Sequence, residues 1–273
     1  MKQVKRYGSK TLFAMVVFVT LALFTVNPAV AVSDCNIACE GSFVIDDIDT
    51  AADLEALSAC TTVTGNLAIE YSPLTSLEKL ECLAHVGGRL DIKLNEFLTS
   101  LAGLESLESV GGDLGISVNR SLTSLAGLES LESVGGRLDI EHNESLTSLA
   151  VLYNLESVGG SLDIEHNDSL TSLSGLENIA SIGEDLEISY NFSLTSLAGL
   201  HNLKFVGGRL DISINRSLTS LAGLHNLESV GGNLVIWYNR KLCTSLAEAL
   251  RDRLLDSGGA GGSIHISINK PGC

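Results

Sequence analysis

The stretch LTSLAGLESLESVGGRLDIEHNES, residues 122–145, differs little from LTSLAGLESLESVGGDLGISVNRS at 98–121. Such near-identity marks recent duplication and makes the repeat, rather than the length, the key to the fold. The signature x-L-x-I-x-x-N closes each unit, with Asn95, Asn119, Asn143, Asn167, Asn191, Asn215 and Asn239 spaced 24 residues apart. Leu67-Ala68-Ile69 is an earlier copy at a step of 23, with Ser72 in place of the asparagine. Ile264-His265-Ile266 is a last copy at a step of 30, ending in Asn269, and the degenerate Phe43-Val44-Ile45 starts the stack. Alternating Leu and Ile suit a strand with one face turned inward. Leucines three residues apart then mark successive inward points as the chain rounds a coil. The pattern predicts an all-β-dominated solenoid of about nine 24-residue layers, with a rise of about 4.8 Å per layer. Identical residues should stack into ladders, with the asparagines turned inward to bond backbone at a bend. Gly-Gly is expected to supply the tight corner, because glycine reaches positive φ freely. Glu184 stands at one second-glycine position, so that corner should tolerate a side chain.

Both ends carry devices against edge pairing. Thr50 to Cys60, with Leu54 and Leu57, reads as a short helix over the first layer. Thr244 to Asp256 reads as a second helix, with a Ser245/Glu248 capping box, an inward stripe of Leu246, Leu250 and Leu254, and a stop at Gly258.

The opening residues carry Lys2, Lys5, Arg6 and Lys10, then an apolar run from Thr11 to Val26 and the small-x-small exit Ala29-Val30-Ala31. That order predicts a secretory signal over residues 1–31; an uncleaved N-terminal anchor is the alternative. The expected organisation is a signal peptide at 1–31, an N-terminal cysteine-bearing cap at 32–65, a repeat solenoid at 66–242 and a helical cap at 243–273. Residues 32–273 are read as one domain. Loss of the four N-terminal cations moves the net charge from −16 to −20. So acidic a chain repels nucleic acid and anionic lipid, which argues against both as partners. No membrane insertion is expected after signal removal, and the expected location is extracellular or cell-surface, or periplasmic in a Gram-negative source.

The six cysteines are Cys35, Cys39, Cys60, Cys82, Cys243 and Cys273, with none between Cys82 and Cys243. An even count in an exported chain favours disulfides, and no CxxC pair points to zinc. Fifteen pairings are open. Loop geometry favours Cys39–Cys60 and Cys243–Cys273, each across a helix, and leaves Cys35 with Cys82.

Cys39-Glu-Gly-Ser-Phe-Val-Ile, the helix ending at Cys60, and Val63-Thr-Gly-Asn-Leu-Ala-Ile resemble the opening of a receptor L domain. This is the leucine-rich right-handed β-helix of the insulin and epidermal growth factor receptors. The repeated L-x-x-V-G-G-x-L-x-I-x-x-N and the helix between Cys243 and Cys273 are similar to the family's body and closing cap. The resemblance spans 35–273 and implies Cys39–Cys60 and Cys243–Cys273; Cys35 and Cys82 are extra to its pattern. Here no paired second L domain, cysteine-rich module or kinase accompanies it, and the layers are more regular, as in a stand-alone secreted single-domain type. The resemblance implies a binding or surface role and names no ligand.

Two outward columns follow from strand alternation: Asp91, Gly115, Asp139, Asp163, Glu187, Asp211, Val235, and Lys93, Ser117, Glu141, Glu165, Ser189, Ser213, Trp237. Asp139, Glu141, Asp163 and Glu165 then lie on adjacent layers, where like charges about 5 Å apart repel. A calcium ion or a cationic partner would relieve that repulsion, yet no calcium-binding repeat is present and a solvated acidic face is the favoured reading. His142 and His166 share a packing column with Tyr190 and Tyr238 and lack a third ligand column. Trp237, with Tyr238 and Tyr190, is the best candidate to stack on a sugar or anchor a protein. Five N-x-S sequons fall on ladder asparagines expected to face inward, and the threonine file from Thr99 to Thr219 is too narrow for a flat ice-binding array. No nucleophile motif, P-loop or H-E-x-x-H occurs, so neither catalysis nor a metal or cofactor is expected. The leading expectation is a recognition protein that binds a protein or glycan through the solenoid side. The alternative is a structural envelope or matrix rod with no specific ligand.

Overall fold

A computed structural model describes residues 35–48 and 50–273, and residues 33–273 form one compact unit. The secretory segment expected over 1–31 lies outside the described residues. The coil consists of two parallel sheets, one of ten strands and one of nine. The longer sheet carries the repeat signature, from Phe43–Ile45 through strands such as Leu138–Glu141 and Leu162–Glu165 to Ile264–Ser267. Each strand lies in register on its copy in the next layer, so Leu138 pairs with both Leu114 and Leu162. The shorter sheet starts with Ile37–Cys39 and Cys60–Val63 and continues as two-residue strands running into the V-G-G corner, such as Ser133–Val134 and Ser157–Val158.

Between the sheets the leucines spaced by three all turn inward. Leu98, Leu101, Leu104, Leu107, Leu114 and Ile116 are fully buried. Each such side chain contributes about 1.5–3 kcal/mol by leaving water. A single layer has no inner face without its neighbours, so the core is one continuous column down the stack.

The asparagines form an unbroken inward ladder from Asn95 to Asn269. In each rung the backbone N–H donates to Oδ1 of the next asparagine, 3.0–3.2 Å away. Its Nδ2 donates to an isoleucine carbonyl of the preceding layer, as Asn167 does to Ile140 at 2.8 Å. Asn119, Asn143, Asn167, Asn191 and Asn215 are wholly buried, so the five sequons are closed to a glycosyltransferase in the folded protein. The threonine file is exposed but tied to backbone, with Thr123, Thr147, Thr195 and Thr219 each donating to the threonine carbonyl one layer back at 3.2–3.3 Å.

The corners differ from the sequence expectation. None of the V-G-G glycines has positive φ. They are required by close approach instead: a Cβ on the first glycine of each pair would lie 1.9–2.5 Å from a carbonyl oxygen of the layer below. Left-handed backbone falls elsewhere, on the bulky residue just before each ladder position: Tyr71, Leu94, Val118, His142, His166, Tyr190, Ile214, Tyr238 and Ile268, with φ between 54° and 60°.

Helix α1, Thr50–Leu57, packs Leu54 and Leu57 under the first layer, and α2, Thr244–Asp256, covers the last. The α2 capping box does not form; Ser245 Oγ donates to the Cys273 carbonyl, and no side chain caps the helix. Its buried stripe is Ala247, Leu250 and Leu254, while Leu246, expected in that stripe, is 43% exposed. Gly258 stops the helix with φ 69°. Disulfides join Cys35–Cys82, Cys39–Cys60 and Cys243–Cys273, all three pairs as expected. Among the described residues no helix is long and apolar enough to cross a membrane.

Candidate functional site

The two outward columns of the long sheet are in register, as Asp139 on Asp163 and Glu141 on Glu165 show. They are less exposed than alternation alone suggests: Asp163, Ser189, Asp211 and Ser213 are buried. Arginines offset part of the repulsion along the first column. Arg137 places Nε 2.9 Å from Asp139 and Nη2 2.6 Å from Asp163. Arg209 does the same between Glu187 at 2.6 Å and Asp211 at 3.0 Å, and Arg89 pairs with Asp91 at 2.8 Å. Part of the relief that calcium or a cationic partner would bring is therefore supplied within the chain. It was legible in R-L-D, because residues i and i+2 of a strand share a face.

Asp163, Glu165 and Glu187 bring carboxylate oxygens within 4.8 Å of one another. Their internal donors are Arg137 to Asp163, Ser189 Oγ to Glu165 at 3.0 Å and Arg209 to Glu187. Burial raises the pKa of Asp139 to about 7, against the pull of Arg137, with Asp163 and Glu141 adding to the rise. Burial likewise raises Asp163, Glu165 and Asp211. A raised carboxyl keeps its proton in the folded chain after the unfolded chain has lost it. Stability from Asp139 is thus full below its ordinary value of 3.8 and is lost as the pH rises through about 7. Melting temperature should therefore fall between about pH 4 and pH 7, and Asp139→Asn should flatten that fall; equal slopes in thermal scans of the two proteins would contradict this origin. Burial pushes His166 down, which acts in the opposite sense below its usual range, so the comparison of slopes is the informative reading.

Around the corner the left-handed residues form a ridge along the coil. The rings of His142 and His166 stack at 4.3 Å, and His166 stacks on Tyr190 at 4.3 Å. Phe192 meets the edge of Tyr190, and Arg216 lies 4.4 Å over the Phe192 ring. Tyr238 is covered by Arg240 at 4.3 Å and touches Trp237 at 5.3 Å. The expected aromatic patch of Trp237, Tyr238 and Tyr190 therefore divides. Trp237 lies on the sheet face, and Tyr190 belongs to the histidine stack, parted from Tyr238 by the buried Ile214. His201 and His225 turn back to carbonyls of their own turns, at 2.9 Å and 2.5 Å, rather than to each other.

Residues 156–254 match the family model described as Receptor L domain, and the strand-dominated coil is consistent with that match. No curated protein and no solved structure matches the chain.

Proposed function

We propose that this receptor L-domain coil is an extracellular recognition protein that binds a protein or glycan through the side of its stack. The observation that carries this reading is the corner ridge. A left-handed conformation costs a residue other than glycine about 1–2 kcal/mol, and β-branched Val118, Ile214 and Ile268 are the poorest candidates for it. Layer after layer nevertheless places a large apolar or aromatic side chain there, where glycine or asparagine would be easier. Strain retained at a surface is characteristic of binding sites. Three disulfides suit an oxidising compartment, in keeping with the secretory segment read at the N-terminus. No catalysis is assigned, since the face acids repeat from layer to layer beside Arg89, Arg137 and Arg209.

The test uses glycan and cell-surface-protein arrays with the parent, Trp237→Ala, and a triple variant carrying His166→Asn, Tyr190→Asn and Tyr238→Asn. Asparagine adopts left-handed backbone readily, so the triple variant should keep its fold by circular dichroism. We expect it to lose about tenfold or more in affinity for whatever the parent binds. Unchanged binding by the triple variant would remove the ridge claim. No binding by the parent would favour the structural rod.

A further inference from the structure

The ridge begins at Tyr71, and there it borders a groove of about 470 Å³. That size lies within the range of about 300–1,000 Å³ typical of small-ligand sites. Tyr71 and Phe97 line it and are 59% and 58% exposed, unlike the mutually stacked rings further along the ridge. Leu94 contributes apolar surface, while Asp47, Glu96 and Arg120 bring charged groups. The layers that present the two rings are locked together: Ser72 donates from N–H and Oγ to Oδ1 of the buried Asn95, at 3.0 Å and 2.7 Å. Arg120 is held only by an exposed pair with Glu144 at 3.5 Å, a weak tie that leaves its donors available.

Charge and shape narrow the ligand. Two carboxylates against one guanidinium, in a chain of net charge −16, disfavour phosphates, sulfates and uronic acids. A lipid tail gains nothing from a charged open groove, and a stable protein partner needs about 800 Å² on each side. A pyranose meets every requirement. Its C–H face packs on an exposed ring, and its hydroxyls both donate to carboxylates and accept from arginine. We propose that this groove takes a segment of a neutral pyranose oligosaccharide, stacked on Tyr71 and Phe97 and hydrogen-bonded to Asp47, Glu96 and Arg120.

The proposal rests on the recognition reading above but uses the opposite end of the coil, so the two fail separately. The purified protein is titrated by calorimetry with cello-, laminari-, chito- and manno-hexaose, with sulfated and uronic-acid oligosaccharides, and with tetramethylammonium. At least one neutral hexaose should bind. Phe97→Ala and Tyr71→Asn should each weaken it about tenfold, the loss of one stacking partner. Glu96→Gln should weaken it several-fold, while Trp237→Ala leaves it unchanged. Thermal melts of each variant separate lost binding from lost fold. The proposal is overturned if no neutral hexaose binds at millimolar concentration, if the anionic sugars or tetramethylammonium bind better, or if folded Phe97→Ala binds as the parent does. Neutral-sugar binding abolished by Trp237→Ala instead would move the site to the other end and leave the recognition reading standing.

Discussion

Asn167→Ala should cost about 3–5 kcal/mol, far more than the removal of a surface amide. The side chain is fully buried and makes two hydrogen bonds. Its Oδ1 accepts the Asn143 N–H at 3.2 Å, and its Nδ2 donates to the Ile140 carbonyl at 2.8 Å. Truncation strands a donor and an acceptor together in the preceding layer, each at about 1–3 kcal/mol, and leaves a cavity besides. Asn167→Asp should be worse at neutral pH, because a carboxylate oxygen then faces the Ile140 carbonyl, and its deficit should shrink in acid as the group regains a proton. Asn269→Ala is the control: it makes equivalent bonds but ends the ladder and is 8% exposed, so water can reach the freed groups. Urea unfolding gives the overall cost. Amide exchange should also show protection lost first around Asn143 and Asn191, since each layer depends on its nearest neighbours. A cost below about 1 kcal/mol for Asn167→Ala would mean that the ladder is ornamental to the stack.

Duplication made much of this molecule legible. Seven asparagines at one spacing fixed the strand register, and leucines spaced by three marked the core, because both follow from periods a single chain displays. The cysteine pairs were legible as well, since each helix limits what its flanking thiols can reach. What escaped depends on contacts between layers. Nothing in the residues from Tyr71 to Ile268 signals left-handed backbone, for the column contains no glycine or asparagine. The adjoining asparagine network holds that corner, and tertiary bonding overrides local preference. Positive φ does fall on glycine at Gly103, Gly127 and Gly175, in A-G-L or S-G-L rather than in V-G-G. The failed capping box in α2 has the same origin, because Ser245 is engaged by the chain terminus. Of the candidate face, the in-register columns of acids were legible from strand alternation, but the burial of Asp163 was not, the arginine partners went unread, and the groove at Tyr71 and Phe97 lies where the repeat is least regular.

The Gly-Gly corner yields the sharpest contrast, because two adjacent glycines should respond differently to one methyl group. A Cβ on Gly159 would sit 2.3 Å from the Gly135 carbonyl oxygen, and that oxygen belongs to a neighbouring layer fixed by its own pairing. The clash cannot be relieved by a rotamer, so the layers must part and the corner bonds stretch, including that from the Gly159 N–H to the Val134 carbonyl at 2.9 Å. A Cβ on Gly160 would meet backbone at 2.9 Å, which also forces a shift, but one several tenths of an ångström smaller than at Gly159. The chain supplies its own precedent, since Glu184 holds the equivalent second position one layer on. Neither glycine has positive φ, so loss of conformational freedom in the unfolded chain acts alike on both and cancels in the comparison. Gly159→Ala should therefore destabilise by about 3 kcal/mol or more, the scale of core overpacking, and Gly160→Ala by about 1 kcal/mol or less. Parallel urea titrations decide it: equal losses would place the requirement for glycine in the turn itself, whereas a loss confined to Gly159 places it in the approach of one layer to the next.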